Sequence, residues 1–154
     1  GVYARFARDL FARYGKTVTE DCVHKAYDVF EGITAYVQRI MHDVFTETAT
    51  GGTADVNLVD NMIDRFIEES SRRIREQLSV ITEQQKELLY AIHSEGIAKG
   101  LTASAFVKRH RLKSASSVQS ATKQLLEMDL ITKEGNEYTL SDPLLKLWLT
   151  REIQ

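Results

Sequence analysis

The chain has 154 residues, a formal net charge of −2 and a hydrophobic share of 43%, which is the makeup of a folded soluble protein with room for one ordinary domain or two small ones. No uncharged apolar run approaches the roughly 18 residues a membrane-spanning helix needs, and no signal-peptide pattern precedes the first helix. A single cysteine, Cys22, cannot close an internal disulfide and fits a reducing, cytoplasmic setting; with so little net charge, any nucleic-acid binding must be local.

Tyr3, Phe6, Ala7, Leu10 and Tyr14 recur at helical spacing, with Arg5, Arg8 and Arg13 off that stripe, and Gly15 is placed to end the helix. This helix opens without a capping sequence, which suggests a piece of a longer polypeptide. Thr17-Val18-Thr19-Glu20 has the form of a capping box and opens a second helix, with Val23, Ala26, Tyr27 and Phe30 on one face, ending before Gly32. A third helix carries Tyr36, Val37, Ile40, Met41 and Val44. Thr46–Ala54 has two glycines and no periodicity, so it is expected to be a flexible loop. A long helix then runs from about Val56 to Gln77 on an apolar stripe of Val59, Met62, Ile63, Phe66 and Ile67. Its second half is mostly polar, as in a bridge between packed units, and places the domain boundary near Leu78–Ile81. The expected domains are therefore 1–77, a helical bundle, and 78–154.

The second domain opens on Thr82-Glu83-Gln84-Gln85, another capping box, ahead of a helix that buries Leu88, Leu89 and Ile92 and stops at Gly96. A short helix over Ala103–His110, a turn through Arg111-Leu112-Lys113 and a third helix over Ser116–Met128 follow. Val118, Ala121, Leu125 and Leu126 of that third helix point inward. Two strands, Leu130–Lys133 and Glu137–Leu140, flank Glu134-Gly135-Asn136, which suits a tight hairpin turn. Pro143 opens a closing helix whose Leu144, Leu145, Trp148 and Leu149 pack back on the core. Three helices followed by a β-hairpin are the order of a winged helix-turn-helix. The fold class expected is mainly α: a helical bundle, then a winged helix-turn-helix with a small β-hairpin wing.

From Ile97 to Leu126 there is no acidic residue, whereas Lys99, Lys108, Arg109, Arg111, Lys113 and Lys123 are basic. In a nucleic-acid interface Lys108, Arg109, Arg111 and Lys113 would meet phosphates. Ser116, Gln119, Ser120 and Lys123 would face the groove, with Lys133 on the wing. The competing possibility is docking on a protein, or packing within a larger polypeptide. Asp55–Glu95 carries nine acidic residues against five basic ones and could meet the patch. The third helix is also rich in serine and lacks arginine, which weakens base readout. No catalytic or metal site is expected. Cys22 and His24 do not share a helix face, and His42, His93 and His110 lack ligand spacing. Glu20-Asp21 suits a helix start, Glu68-Glu69 and Arg72, Arg73 and Arg75 suit solvated faces, and Trp148 suits the core.

Three segments together resemble the C-terminal part of the archaeal-type ATPases, P-loop proteins of the AAA+/STAND kind. Tyr27-Asp28-Val29-Phe30-Glu31-Gly32-Ile33-Thr34-Ala35-Tyr36-Val37-Gln38 resembles their helical lid, whose glycine-x-proline turn approaches the nucleotide. Leu112-Lys113-Ser114-Ala115-Ser116-Ser117-Val118-Gln119-Ser120-Ala121 is similar to the third helix of their winged-helix domain. Tyr138-Thr139-Leu140-Ser141-Asp142-Pro143-Leu144-Leu145-Lys146-Leu147-Trp148-Leu149 resembles that domain's closing motif. The resemblance implies a C-terminal regulatory piece of an ATPase, with Gly32 and Thr34 in a lid that follows nucleotide state and a winged helix that docks to DNA or protein. Its partner would be an upstream ATPase core holding ATP and Mg. Two departures stand out. Thr34 replaces the usual proline, and the chain has neither a Gly-x-x-x-x-Gly-Lys-Ser/Thr phosphate loop nor an apolar strand ending in paired acids, so it is not expected to hydrolyse ATP itself. The alternatives are a stand-alone winged-helix transcriptional regulator and a protein-interaction module without nucleic acid.

Overall fold

The computed structural model describes residues 1–153. They form two compact units, Gly1–Ser70 and the remainder from Ser71. The first unit holds helix α1 (Val2–Arg13), strand β1 (Thr17–Val18), helices α2 (Glu20–Val29) and α3 (Thr34–Glu47), strand β2 (Thr53–Ala54) and the start of α4 (Val56–Ser79). The division falls inside α4, ahead of the point the polar composition suggests. Ile74 and Leu78 are buried, and Ser71 and Arg75 bond to Trp148 and Glu152, all within the second unit.

In the first unit Phe30, Ile40, Val44, Val59 and Phe66 form the centre of the core, with the rings of Phe30 and Phe66 5.9 Å apart. Three local expectations change. Thr17 is not a cap: Thr17–Val18 pairs in parallel with Thr53–Ala54, and the cap is Thr19, whose hydroxyl accepts the Cys22 N–H at 3.2 Å. The 46–54 segment is tied down rather than loose. Helix α3 extends to Glu47, the buried Thr48 hydroxyl donates to Val44 O at 2.7 Å, and Gly51 N–H donates to Gly15 O at 2.7 Å. Helix α1 buries Ala4, Ala7 and Phe11, leaving Phe6, Leu10 and Tyr14 exposed. The small alanines let α1 approach α2 closely, and Phe11 packs inward with its ring centroid 5.1 Å from that of Phe45. Tyr27 of α2 is likewise exposed.

The second unit contains the end of α4, α5 (Glu83–Glu95), β3 (Ala98–Lys99), α6 (Ser104–Arg109), α7 (Ala115–Glu127), β4 (Ile131–Glu134), β5 (Glu137–Leu140) and α8 (Pro143–Ile153). Its α5 opens on the expected capping box, Thr82 with Gln85. The wing is a three-stranded antiparallel sheet in the order β3-β5-β4, with Ala98 opposite Tyr138 and Ile131 opposite Leu140. The mainly helical fold, a bundle followed by a winged helix, is as expected.

Three helices end on the same device without glycine. After α2, α6 and α7 the residues Glu31, Arg111 and Asp129 have φ of 54°, 54° and 56°. In each case the next amide reaches back five residues: Gly32 to Tyr27 O at 2.9 Å, Leu112 to Val107 O at 2.9 Å, and Leu130 to Leu125 O at 3.0 Å. These are Schellman ends, which satisfy orphan carbonyls at the cost of a left-handed residue. No helix among the described residues is long and apolar enough to cross a membrane.

Candidate nucleic-acid interface

The basic residues fall into two neighbouring sets. Lys108 and Arg109 end α6, and the Schellman turn at Arg111 redirects the chain through Lys113 into α7. Helix α7 starts on a capping box the sequence did not announce. Ser114 Oγ accepts the Ser117 N–H at 3.1 Å, and Ser117 Oγ accepts the Ser114 N–H at 3.2 Å. The serine-rich stretch thus has a local structural role, since serine at the second position replaces the usual Glu or Gln. From this fixed start, the exposed Ser116, Gln119, Ser120 and Lys123 follow one another on the outer face of α7.

Gln119 and Lys123 line a groove of about 640 Å³ between α7 and the wing, together with Lys133, Asn136, Tyr138 and the loop residues Gly100 and Thr102. Lys133 Nζ lies 5.6 Å from the centroid of the Tyr138 ring, a cation–π distance that holds it over the wing. Glu127 is an acid in the same groove. Lys108, Arg109, Arg111 and Lys113 do not line it, so the α6 end and the α7–wing groove are two adjoining surfaces.

The cations differ in how they are engaged. Among the described residues no carboxylate lies within 4.0 Å of the charged ends of Lys108, Arg111, Lys113 or Lys123. Lys99 is paired with Glu137 at 3.5 Å. Arg109 Nη1 donates to Glu95 Oε1, and His110 Nε2 lies 2.7 Å from the same oxygen. These contacts, His110 first and Arg109 second, hold the Glu95 carboxyl below its ordinary range. Glu95, the last acid of the Asp55–Glu95 stretch, thus meets the patch from the end of α5, fourteen residues before Arg109.

In the first unit Gly32 has φ +71° and lies against the Tyr27 ring, so that a Cβ there would come within 2.8 Å of the Tyr27 hydroxyl. Thr34 is the first residue of α3, a position where proline is well accepted, and Ile33 before it makes no side-chain cap. Among the described residues no cluster of three or more His, Cys, Asp or Glu could hold a metal. Cys22 is buried, and burial, followed by the Asp55 and Asp60 carboxylates, pushes its thiol up to about 11. His93 Nε2 lies 3.1 Å from Thr150 Oγ1, and burial followed by the Lys146 charge lowers its pKa.

A short α6 joined by the turn at Arg111 to an exposed α7, followed by a hairpin and closed by α8, defines a winged helix. The family model for a probable winged helix domain matches residues 73–151, and the chain belongs to that family. No curated protein matches it. Among solved structures, the Walker-type ATPase PABY2304 of Pyrococcus abyssi is similar, with a TM-score of 0.69 at 16% identity over 96% of this chain and 40% of that one. The likeness is one of fold. The chain spans about two fifths of the length of that ATPase.

Proposed function

We propose that this chain is the helical lid and winged helix of an AAA+/STAND-type P-loop ATPase, and that its winged helix docks on duplex DNA. The observation that carries the first half is the breadth of the structural likeness, which takes in both units and not the winged helix alone. Such a chain supplies no hydrolysis of its own; ATP and Mg belong to the nucleotide-binding core. Gly32-Ile33-Thr34, at the uncapped start of α3, is the segment that follows nucleotide state. The exposed apolar stripe of α1, Val2, Phe6, Leu10 and Tyr14, is the face the core covers.

DNA docking rests on Lys108, Arg111, Lys113 and Lys123, four cations that meet no carboxylate among the described residues, beside the polar face of α7. Phosphate contacts at the α6 end would set the register, while Gln119 and Lys123 reach base edges. Titrating labelled duplex against the protein at several salt concentrations tests this, beside an Arg109→Ala/Arg111→Ala/Lys113→Ala variant. Binding whose salt slope falls by about 0.9 for each phosphate contact removed supports the reading. Absence of binding at low salt sinks it. Docking on a protein is the second reading, favoured by Glu127 in the groove and by the structural use of Ser114 and Ser117. A phosphate-loop core encoded before Gly1 supports the ATPase half; its absence there would leave a stand-alone regulator.

A further inference from the structure

We propose that Glu95 is a built-in competitor for phosphate at Arg109, so that one of the patch's cations is surrendered to DNA only when a backbone phosphate displaces an internal carboxylate. This rests on the DNA-docking reading above. Glu95 is the last residue of α5, where the exposed carbonyls of the helix end make a carboxylate unwelcome. It is held there by two donors that are consecutive in sequence, Arg109 and His110, both directed at Oε1. The flanking Lys108, Arg111 and Lys113 meet no such acid among the described residues.

Glu95 takes one N–H of Arg109, on Nη1, and a phosphate that binds through the two-donor fork carrying that hydrogen must displace the carboxylate from it. The Arg109 side chain is 57% exposed whereas that of Glu95 is 26% exposed, so an incoming phosphate can reach the guanidinium from the solvent side. His110, 15% exposed, stays behind with Glu95 and keeps the carboxylate partnered when Arg109 turns away. The internal pair is therefore breakable, and it subtracts from binding without blocking it. Glu95 acts through Arg109; it is a positioning residue that does not touch DNA.

The test is a double-mutant cycle with labelled duplex. Glu95→Gln keeps an oxygen that accepts from His110 and removes the charge. It should tighten binding on the order of 2- to 5-fold, the range of a part-exposed ion pair. The salt slope should steepen by up to about 0.9, one further phosphate contact. In an Arg109→Ala background the same change should give no gain. Arg109→Ala alone should cost less than Arg111→Ala, and the two should become equal once Glu95 is glutamine. Glu127→Gln is the control for field effects, and any gain it gives should persist without Arg109. A thermal unfolding scan checks each variant; should Glu95→Gln be unfolded, Glu95→Asp, which withdraws the carboxylate by one methylene, takes its place. If the wild type fails to bind duplex at low salt, the docking reading falls and the competitor with it. If the wild type binds and Glu95→Gln gives no gain, or the same gain with and without Arg109, the competitor alone is overturned.

Discussion

The indole Nε1–H of Trp148 donates to Ser71 Oγ at 3.0 Å, joining α8 to the last turns of α4 inside the winged-helix unit. The Arg75 guanidinium lies 5.7 Å from the centroid of the ring and pairs with Glu152 at 3.2 Å. Trp148 is thus a core residue with a satisfied polar edge and is not available to stack on a base. Trp148→Phe should cost about 1–2 kcal/mol, from the lost hydrogen bond and a smaller ring. Trp148→Ala should cost about 3–5 kcal/mol. Urea unfolding followed by far-UV circular dichroism measures both. Duplex affinity, measured well below the unfolding midpoint of Trp148→Phe, should be unchanged.

Cys22 should behave as a packed thiol. At pH 8 it should resist a thiol reagent in the native protein and react fully in denaturant, because it is buried and its thiolate is disfavoured. The sign of the pH effect follows from the raised value. The native thiol holds its proton more tightly than the unfolded one, so its contribution is complete below about 9 and is lost as pH rises through about 11. The unfolding midpoint should fall over that window. Cys22→Ala, although less stable at neutral pH, should lose that component of the fall. Rapid labelling of the folded protein at pH 8 would contradict the burial.

The three Schellman ends give a paired prediction. Asp129 has φ 56° and is exposed, so Asp129→Gly should remove a left-handed penalty of about 1–2 kcal/mol, partly offset by the greater freedom of the unfolded chain. The net expectation is a gain of up to about 1 kcal/mol. Gly32→Ala runs the other way: it adds the backbone penalty and pushes on Tyr27, whose exposed ring can move. A loss of about 1–2 kcal/mol is expected from the backbone term. Denaturant midpoints measured side by side check both signs.

Much of the winged helix was legible because its signals are local. The Thr82–Gln85 capping box, the Glu134-Gly135-Asn136 turn and Pro143 each act on their own neighbourhood, and the hydrophobic spacing of α5 and α7 agrees with them. What escaped was set at a distance. Strand β3 has two residues and exists only because Ala98 and Lys99 meet Tyr138 and Glu137. Thr17–Val18 resembles a cap but pairs with Thr53–Ala54, thirty-six residues on. On α1 the periodicity identified a helix and placed Ala7 correctly, but the inner face is completed by Ala4 and Phe11, while Phe6, Leu10 and Tyr14 are exposed. The basic patch was visible as composition, whereas its division into engaged and unengaged cations was not. That division depends on where the end of α5 delivers Glu95.

The groove between α7 and the wing separates two kinds of contact. Lys123 and Lys133 line it from opposite sides, one on the helix and one on β4, so a duplex held there meets a cation from each. Lys123→Ala and Lys133→Ala should each weaken binding similarly on all sequences and lower the salt slope by about 0.9 if each meets one phosphate. Gln119 carries no charge, and Gln119→Ala should leave the slope unchanged while flattening any preference among duplexes, by about 1–3 kcal/mol at the base pair it reads. Lys133 also lies over Tyr138, so Tyr138→Leu should lower affinity by freeing the lysine and leave the slope nearly intact. Competition between labelled duplexes of differing sequence at fixed salt, repeated across salt concentrations, separates the two effects. If Gln119→Ala instead shifts the slope and the lysine variants do not, the duplex does not occupy this groove, and binding belongs to the Lys108–Lys113 surface alone.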